Sequence, residues 1–158
     1  MEGAIFACPA EWESGLPAGI RRVTDAKELE KRHWPLLALT SAGCARLGDG
    51  RIRCQVLLVP GDCDTEQLAR VQAENVISYG LSPRDSLTLS SLAEPVLCIQ
   101  RALPRPDGGV IEPQELPLPE LPEPAVRLLP LLGVQLLHIP LTGEISPWYN
   151  YTKRRDFP

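Results

Sequence analysis

One stretch constrains this chain more than any other: Gln55 to Leu92, QVLLVPGDCDTEQLARVQAENVISYGLSPRDSLTLSSL. An apolar run ends in Pro60-Gly61-Asp62, a short helical pattern follows, and a second apolar run ends in Tyr79-Gly80. That order predicts a strand, a crossover helix and a parallel strand, with polar loops after both strands. The uninterrupted Val56-Leu57-Leu58-Val59 suits a strand covered on both faces. Asp64 or Thr65 is placed to cap a helix whose Leu68 and Val71 face inward, and Asn75 to end it before a strand over Val76–Tyr79. Connections of this type are overwhelmingly right-handed.

The flanking sequence extends the layer. Ala4–Ala7 reads as a first buried strand stopped by Cys8-Pro9, and Thr24 or Asp25 opens a helix over Asp25–Glu30 with Glu28 in capping-box position. Pro35 predicts a break near Trp34, with Leu36–Ala42 a helical turn or a short strand. Ser86–Leu92 alternates as a half-exposed strand. Val96–Leu103 and Val110–Leu118 pair as an antiparallel hairpin through PRPDGG, where Asp107-Gly108 supplies the turn. Pro113 and Pro117 lack amide donors and make the second of these an edge strand. Ten of the 17 prolines fall between Pro104 and Pro147, and Pro117–Pro124 reads as an extended connector. Val126–Leu132 suggests one or two helical turns and Val134–Leu141 a strand. The fold class is α/β: a small mixed sheet with a βαβ unit in the first half and an antiparallel β-hairpin plus proline-rich strap in the second. Residues 1–158 read as one domain, with 104–124 a proline-rich hairpin and connector and 148–158 a C-terminal tail. The expected core includes Ile5, Val56, Leu58, Val71, Ile77, Leu97 and Ile99.

Several functional classes lack support. A net charge of -4 leaves no electrostatic footprint for nucleic acid or an anionic membrane. The basic run Lys153-Arg154-Arg155 is read as a solvated tail. Neither a signal peptide nor a spanning segment is visible, so the expected location is the cytosol. Five cysteines without a Cys-x-x-Cys pair argue against a disulfide framework or a zinc finger. Free thiols are expected, with Cys54 and Cys98 as small buried hydrophobes. His33, on a charged helix, and His138, inside an apolar run, carry no catalytic motif around them. No catalytic residue, metal site or cofactor is assigned.

What chemistry there is lies at the ends of the two strands. Asp62, Cys63 and Asp64 set two carboxylates and a thiol after one strand, and Cys8 falls on the same edge of the sheet as a conceivable redox or metal partner for Cys63. Tyr79, Gly80, Ser82, Arg84 and Asp85 form the loop after the other. Gly80 permits unusual backbone angles. Arg84 offers a bidentate fork to an anion unless it pairs with Asp85 to order the loop. In open α/β sheets such loops are where ligands sit. Two functional readings result. The first is a non-enzymatic protein-interaction or self-association module, its partner a protein or a second copy. The second is a small-molecule or nucleotide-binding domain using loops 60–65 and 79–86.

The run LLVPGDCDTEQLARVQAENVISYGLSPRDSLT also resembles the late central-domain segment of Mur ligases, ATP-dependent amino-acid ligases of cell-wall synthesis. There a strand ending in an acidic loop leads through a short helix to a Val-Ile-Thr-Tyr/Phe-Gly-like strand. This sequence has neither a phosphate loop nor a carboxylated-lysine segment, so no ligase residue carries over. The resemblance, about residues 56–88, implies a βαβ fragment with strands following.

Overall fold

Apolar runs separated by capped turns become consecutive parallel strands of one sheet in the computed structural model, which describes residues 3–91 and 93–138. The chain enters through β1 (Gly3–Phe6), makes a 3-10 turn over Ala10–Gly15 and returns as β2 (Ile20–Val23). Helix α1 (Ala26–Leu29) leads to β3 (His33–Leu39), and α2 (Ser41–Ala45) leads to β4 (Ile52–Pro60). Helix α3 (Thr65–Leu68) then leads to β5 (Val71–Tyr79). Short strands β6 (Leu87–Leu89), β7 (Val96–Ile99), β8 (Leu103–Pro104), β9 (Val110–Ile111) and β10 (Gln114–Pro117) follow, and α4 (Ala125–His138) closes the described chain. The main sheet has the order β10-β7-β6-β5-β4-β3-β1-β2, and β8 with β9 forms a separate antiparallel hairpin.

Pairing from β2 to β6 is parallel, whereas β6–β7 and β7–β10 are antiparallel. The βαβ expectation holds, since β4 and β5 pair in parallel from Ile52↔Val71 to Pro60↔Tyr79. So does the hairpin: β7 pairs with β10, an edge strand containing Pro117, and Gly108 takes a positive φ of 90° at the turn between β8 and β9.

Each face of the sheet carries a core. On one, Ile5, Leu36, Val56, Leu58, Ile77 and Leu97 are covered by α4, by Trp12 of the 3-10 turn and by Leu103 and Ile111 of the small hairpin. On the other, Phe6, Leu37, Leu39, Leu57 and Val59 pack with Leu29 of α1 and Cys44 of α2. Helix α4 sits close because residue 133 is glycine: a Cβ there would lie 2.6 Å from Leu58 Cδ2 and 3.2 Å from Leu87 Cδ2.

Several expectations are corrected. Helix α3 ends at Leu68, so Val71 is a half-buried first residue of β5 rather than an inward helix position, and Asn75 lies inside that strand. Val134–Leu141 is not a strand: residues through His138 belong to a single helix with Val126–Leu132, and the remaining three lie outside the described residues. Pro130 sits near the start of α4, where losing one amide donor breaks one bond and the buried flank holds the rest. Instead of the break near Trp34, β3 runs straight through Pro35, whose missing donor is met by a gap in the ladder where Pro35 would face Gln55. His33 begins that strand and is exposed, not helical. Strand β6 is buried at all three positions: α4 covers the Leu87 and Leu89 side, and Thr88, on the side expected to face solvent, is only 8% exposed. The Leu92 end of that expected strand, the tail 148–158 and its basic run lie outside the described residues.

Candidate functional site

The strand order places a topological switch between β1 and β3: from β1 the chain goes to β2 on one side, then returns to β3 on the other. At such a point the connections diverge and leave a crevice over the carboxyl ends of the strands. The crevice here is built locally. Thr40 caps α2, accepting from the Gly43 amide at 3.0 Å, while its hydroxyl lies 2.9 Å from the carbonyl of Ala7 at the end of β1. Gly43 makes this approach feasible, since a Cβ would stand 2.7 Å from the Phe6 carbonyl oxygen. Ala7 itself has a φ of 64°, the only positive value at a non-glycine among the described residues. Strained backbone of this kind persists where surrounding contacts over-determine it, and it clusters at ligand sites.

Three adjoining cavities line this edge. One, about 320 Å³, lies over the switch and is bounded by Ala7, Trp12, Ser41, Tyr79, Arg127 and Pro130, among others. A second, about 380 Å³, is lined by Ser41, Asp62, Tyr79, Ser82, Val126 and Leu129. A third, about 410 Å³, is lined by Ser41, Cys44, Asp62, Cys63, Asp64 and Gln67. Ser41, at the first turn of α2, borders all three. The loops expected to hold a site, 60–65 and 79–86, therefore do converge, and the crevice extends past them to the ends of β1 and β3.

The candidate residues play different parts within it. Asp62 lines two cavities, and Asp64 is committed to α3, accepting from the Glu66 amide at 3.0 Å. Tyr79 donates its phenol to the Leu39 carbonyl at 2.8 Å, tying the end of β5 to the end of β3. Burial pushes that phenol well above the usual tyrosine range, with Cys44, Asp62 and Cys63 adding to the shift. Asp85 is 4% exposed and accepts from the Ser82 amide at 3.1 Å. Its carboxylate lies against Gly61 and Gly80, where a Cβ on either would meet it, at 2.5 Å in the case of Gly80. Asp85 thus locks the loop after β5 onto the loop after β4. Arg84 is exposed and borders none of these three cavities; its carbonyl accepts from Arg101, and its amide donates to the Ser82 hydroxyl at 3.2 Å.

The thiols are distributed unlike the sequence expectation. All five cysteines are free. Cys54 is buried, with burial and then Glu74 pushing its thiol up to about 12, but Cys98 is only half-buried beside Glu115. Cys8 packs into one core and Cys63 against the opposite one, so the sheet itself separates that pair. The neighbour of Cys63 is Cys44, which sequence reasoning passed over. It also missed Ala7, Thr40, Ser41 and Gly43. The small polar run Thr40-Ser41-Ala42-Gly43 after an apolar stretch is the signal that marks a capped helix start at a strand end.

Among the described residues, no group of three or more His, Cys, Asp or Glu side chains is placed to hold a metal, and no helix is long and apolar enough to cross a membrane. His138 ends α4, with burial lowering its imidazole below the usual range, and it borders none of the three cavities. No family model, curated protein or solved structure matches the chain.

Proposed function

We propose that this chain is a small-molecule-binding domain whose ligand occupies the crevice over the carboxyl ends of β1, β3, β4 and β5. The observation that carries this reading is the position of Ser41 on three adjoining cavities at the switch in strand order. The floor is apolar, from Tyr79, Val126, Leu129 and Pro130, with the Asp62 carboxylate toward one end and Arg127 at the other. Few polar groups on an apolar floor fit a compact ligand oriented by two or three hydrogen bonds. The carboxylate end favours an amino or hydroxyl group over a phosphate, since neither cavity beside loops 60–65 and 79–86 is lined by Lys or Arg. A thermal-shift panel of amines, polyols, carboxylates and nucleotides tests the reading. A ligand at a hundred times its Kd stabilises by about 2.7 kcal/mol. Ser41→Trp, an exposed substitution that fills all three mouths, should erase that shift and leave the unliganded Tm near the wild-type value. A shift that survives Ser41→Trp places the ligand elsewhere.

A second reading, self-association, is favoured by one feature. β5 meets β6 at a single bridge, Tyr79↔Leu87, so its edge from Val71 to Ser78 has no ladder partner among the described residues, and Val76 is 58% exposed on it. Unpaired strand edges recruit further strands. Light scattering at increasing concentration, with Val76→Lys as the comparison, checks this: a dimer that Val76→Lys dissolves supports it, and a monomer throughout removes it.

A further inference from the structure

Cys44 and Cys63 come from different connections, yet both border one cavity beside α2 and the start of α3. Cys44 lies on α2 and Cys63 in the loop before α3; the two helices pack together, and both thiols line the 410 Å³ cavity. Cys44 is 7% exposed, whereas Cys63 is half-buried and open to the cavity mouth. We propose that Cys44 and Cys63 are a redox-active dithiol that closes into an intramolecular disulfide by exchange with a low-molecular-weight disulfide of the glutathione type.

Accessibility sets the order of events. The Cys63 sulfur attacks one sulfur of the small disulfide, forming a mixed disulfide and releasing one small thiol. The Cys44 sulfur then attacks the Cys63 sulfur, forming the internal bond and releasing the second. Two protein S–H bonds are replaced by one S–S bond, the S–S bond of the small disulfide is replaced by two S–H bonds, and two electrons pass from protein to small molecule. The protons leaving Cys63 and Cys44 reach solvent through the cavity and are taken up by the two departing thiolates, one in each step. Burial, reinforced by Cys63, holds the Cys44 thiol above the ordinary thiol range, which keeps it protonated and leaves the first attack to the more accessible Cys63. The other cysteines lack this arrangement: Cys8 belongs to the opposite core, Cys54 is enclosed within β4, and Cys98 sits on β7 at the far side of the sheet.

This dithiol chemistry does not depend on the crevice binding a ligand. The full chain is equilibrated in buffers of reduced and oxidised glutathione, acid-quenched, alkylated, digested and read by mass spectrometry. The wild type should lose the Cys44 and Cys63 thiols one for one and yield a single Cys44–Cys63 cross-linked peptide that dithiothreitol reverses. Cys44→Ser should accumulate glutathione on Cys63, and Cys63→Ser should form neither product at Cys44. Circular dichroism confirms that each variant is folded, with Cys44→Ala replacing Cys44→Ser if the hydroxyl is not tolerated. A mixed disulfide that persists on Cys63 of the wild type, a bridge from Cys63 to Cys8, or two thiols that stay unreacted in the folded protein would each overturn the proposal.

Discussion

Strands β4 and β5 are both nine residues long and paired in register from end to end, yet their environments differ sharply. In β4 every residue after Gln55 is buried, whereas β5 is half-buried or exposed from Val71 to Val76 and buried only at Ile77 and Tyr79. The difference comes from the neighbours of each strand. β4 has a long partner on both sides and helices over both faces. β5 is succeeded by a connection over residues 80–86, too short for a full parallel crossover, so β6 meets it at one bridge. Burial is thus set by neighbouring layers and not by strand pairing alone, and β5 becomes secure only where it reaches the crevice.

The largest expected effect comes from that contrast. Leu58→Ala, at a fully buried β4 position beneath Gly133, should cost about 2–5 kcal/mol in urea unfolding. Val76→Ala on exposed β5 should stay within about 0.5 kcal/mol. Equal costs would mean that the two strands share one environment. Next, Gly61→Ala drives a methyl group into the buried Asp85 carboxylate and should cost roughly 1–3 kcal/mol by the same measurement. An unperturbed Gly61→Ala would mean that Asp85 does not clamp the ends of β4 and β5 together.

Alkaline titration reaches the same contrast through charge. The Cys54 thiol in β4 is raised to about 12, from an ordinary value of 9.0 in the unfolded chain. Its contribution is therefore intact below pH 9 and is lost as pH rises toward 12, by about 1.4 kcal/mol per pH unit. Tyr79 and Cys44, also raised, act in the same direction. Cys54→Ala should flatten the decline above pH 9, and an unchanged slope would show that β4 is wetter than its packing implies. The smallest effect belongs to Arg84→Ala, which should change stability by less than about 1 kcal/mol because the side chain is exposed. Loss of ligand-induced stabilisation in that variant would extend the crevice beyond its present lining.

Legibility in the sequence divides along the same line. β4 is readable because four consecutive apolar residues end at Pro60-Gly61, and the far end of β5 because Val76–Tyr79 is apolar before a glycine. The start of β5 is not, since Gln72, Glu74 and Asn75 face solvent and lack the alternation that burial imposes. β2 escapes notice because Arg21 and Arg22 occupy the middle of a short edge strand. Helix α4 reads as two pieces because Pro130 and Gly133 are helix-unfavourable residues; the second is required by Leu58, a contact no local pattern records. The site is half legible for a related reason. The acidic and Ser-Pro loops announce themselves, but the contribution of β1 and β3 depends on strand order.

The most direct test of the crevice as a ligand site maps contacts residue by residue. Amide chemical shifts of the uniformly labelled chain are monitored while the strongest thermal-shift ligand is added. Saturable changes should group at 7–9, 40–45, 60–64, 79–85 and 126–130, the segments that surround the crevice. Saturable changes confined to Val71–Ser78 of β5, or to the proline-rich segment around 117–124, would contradict it.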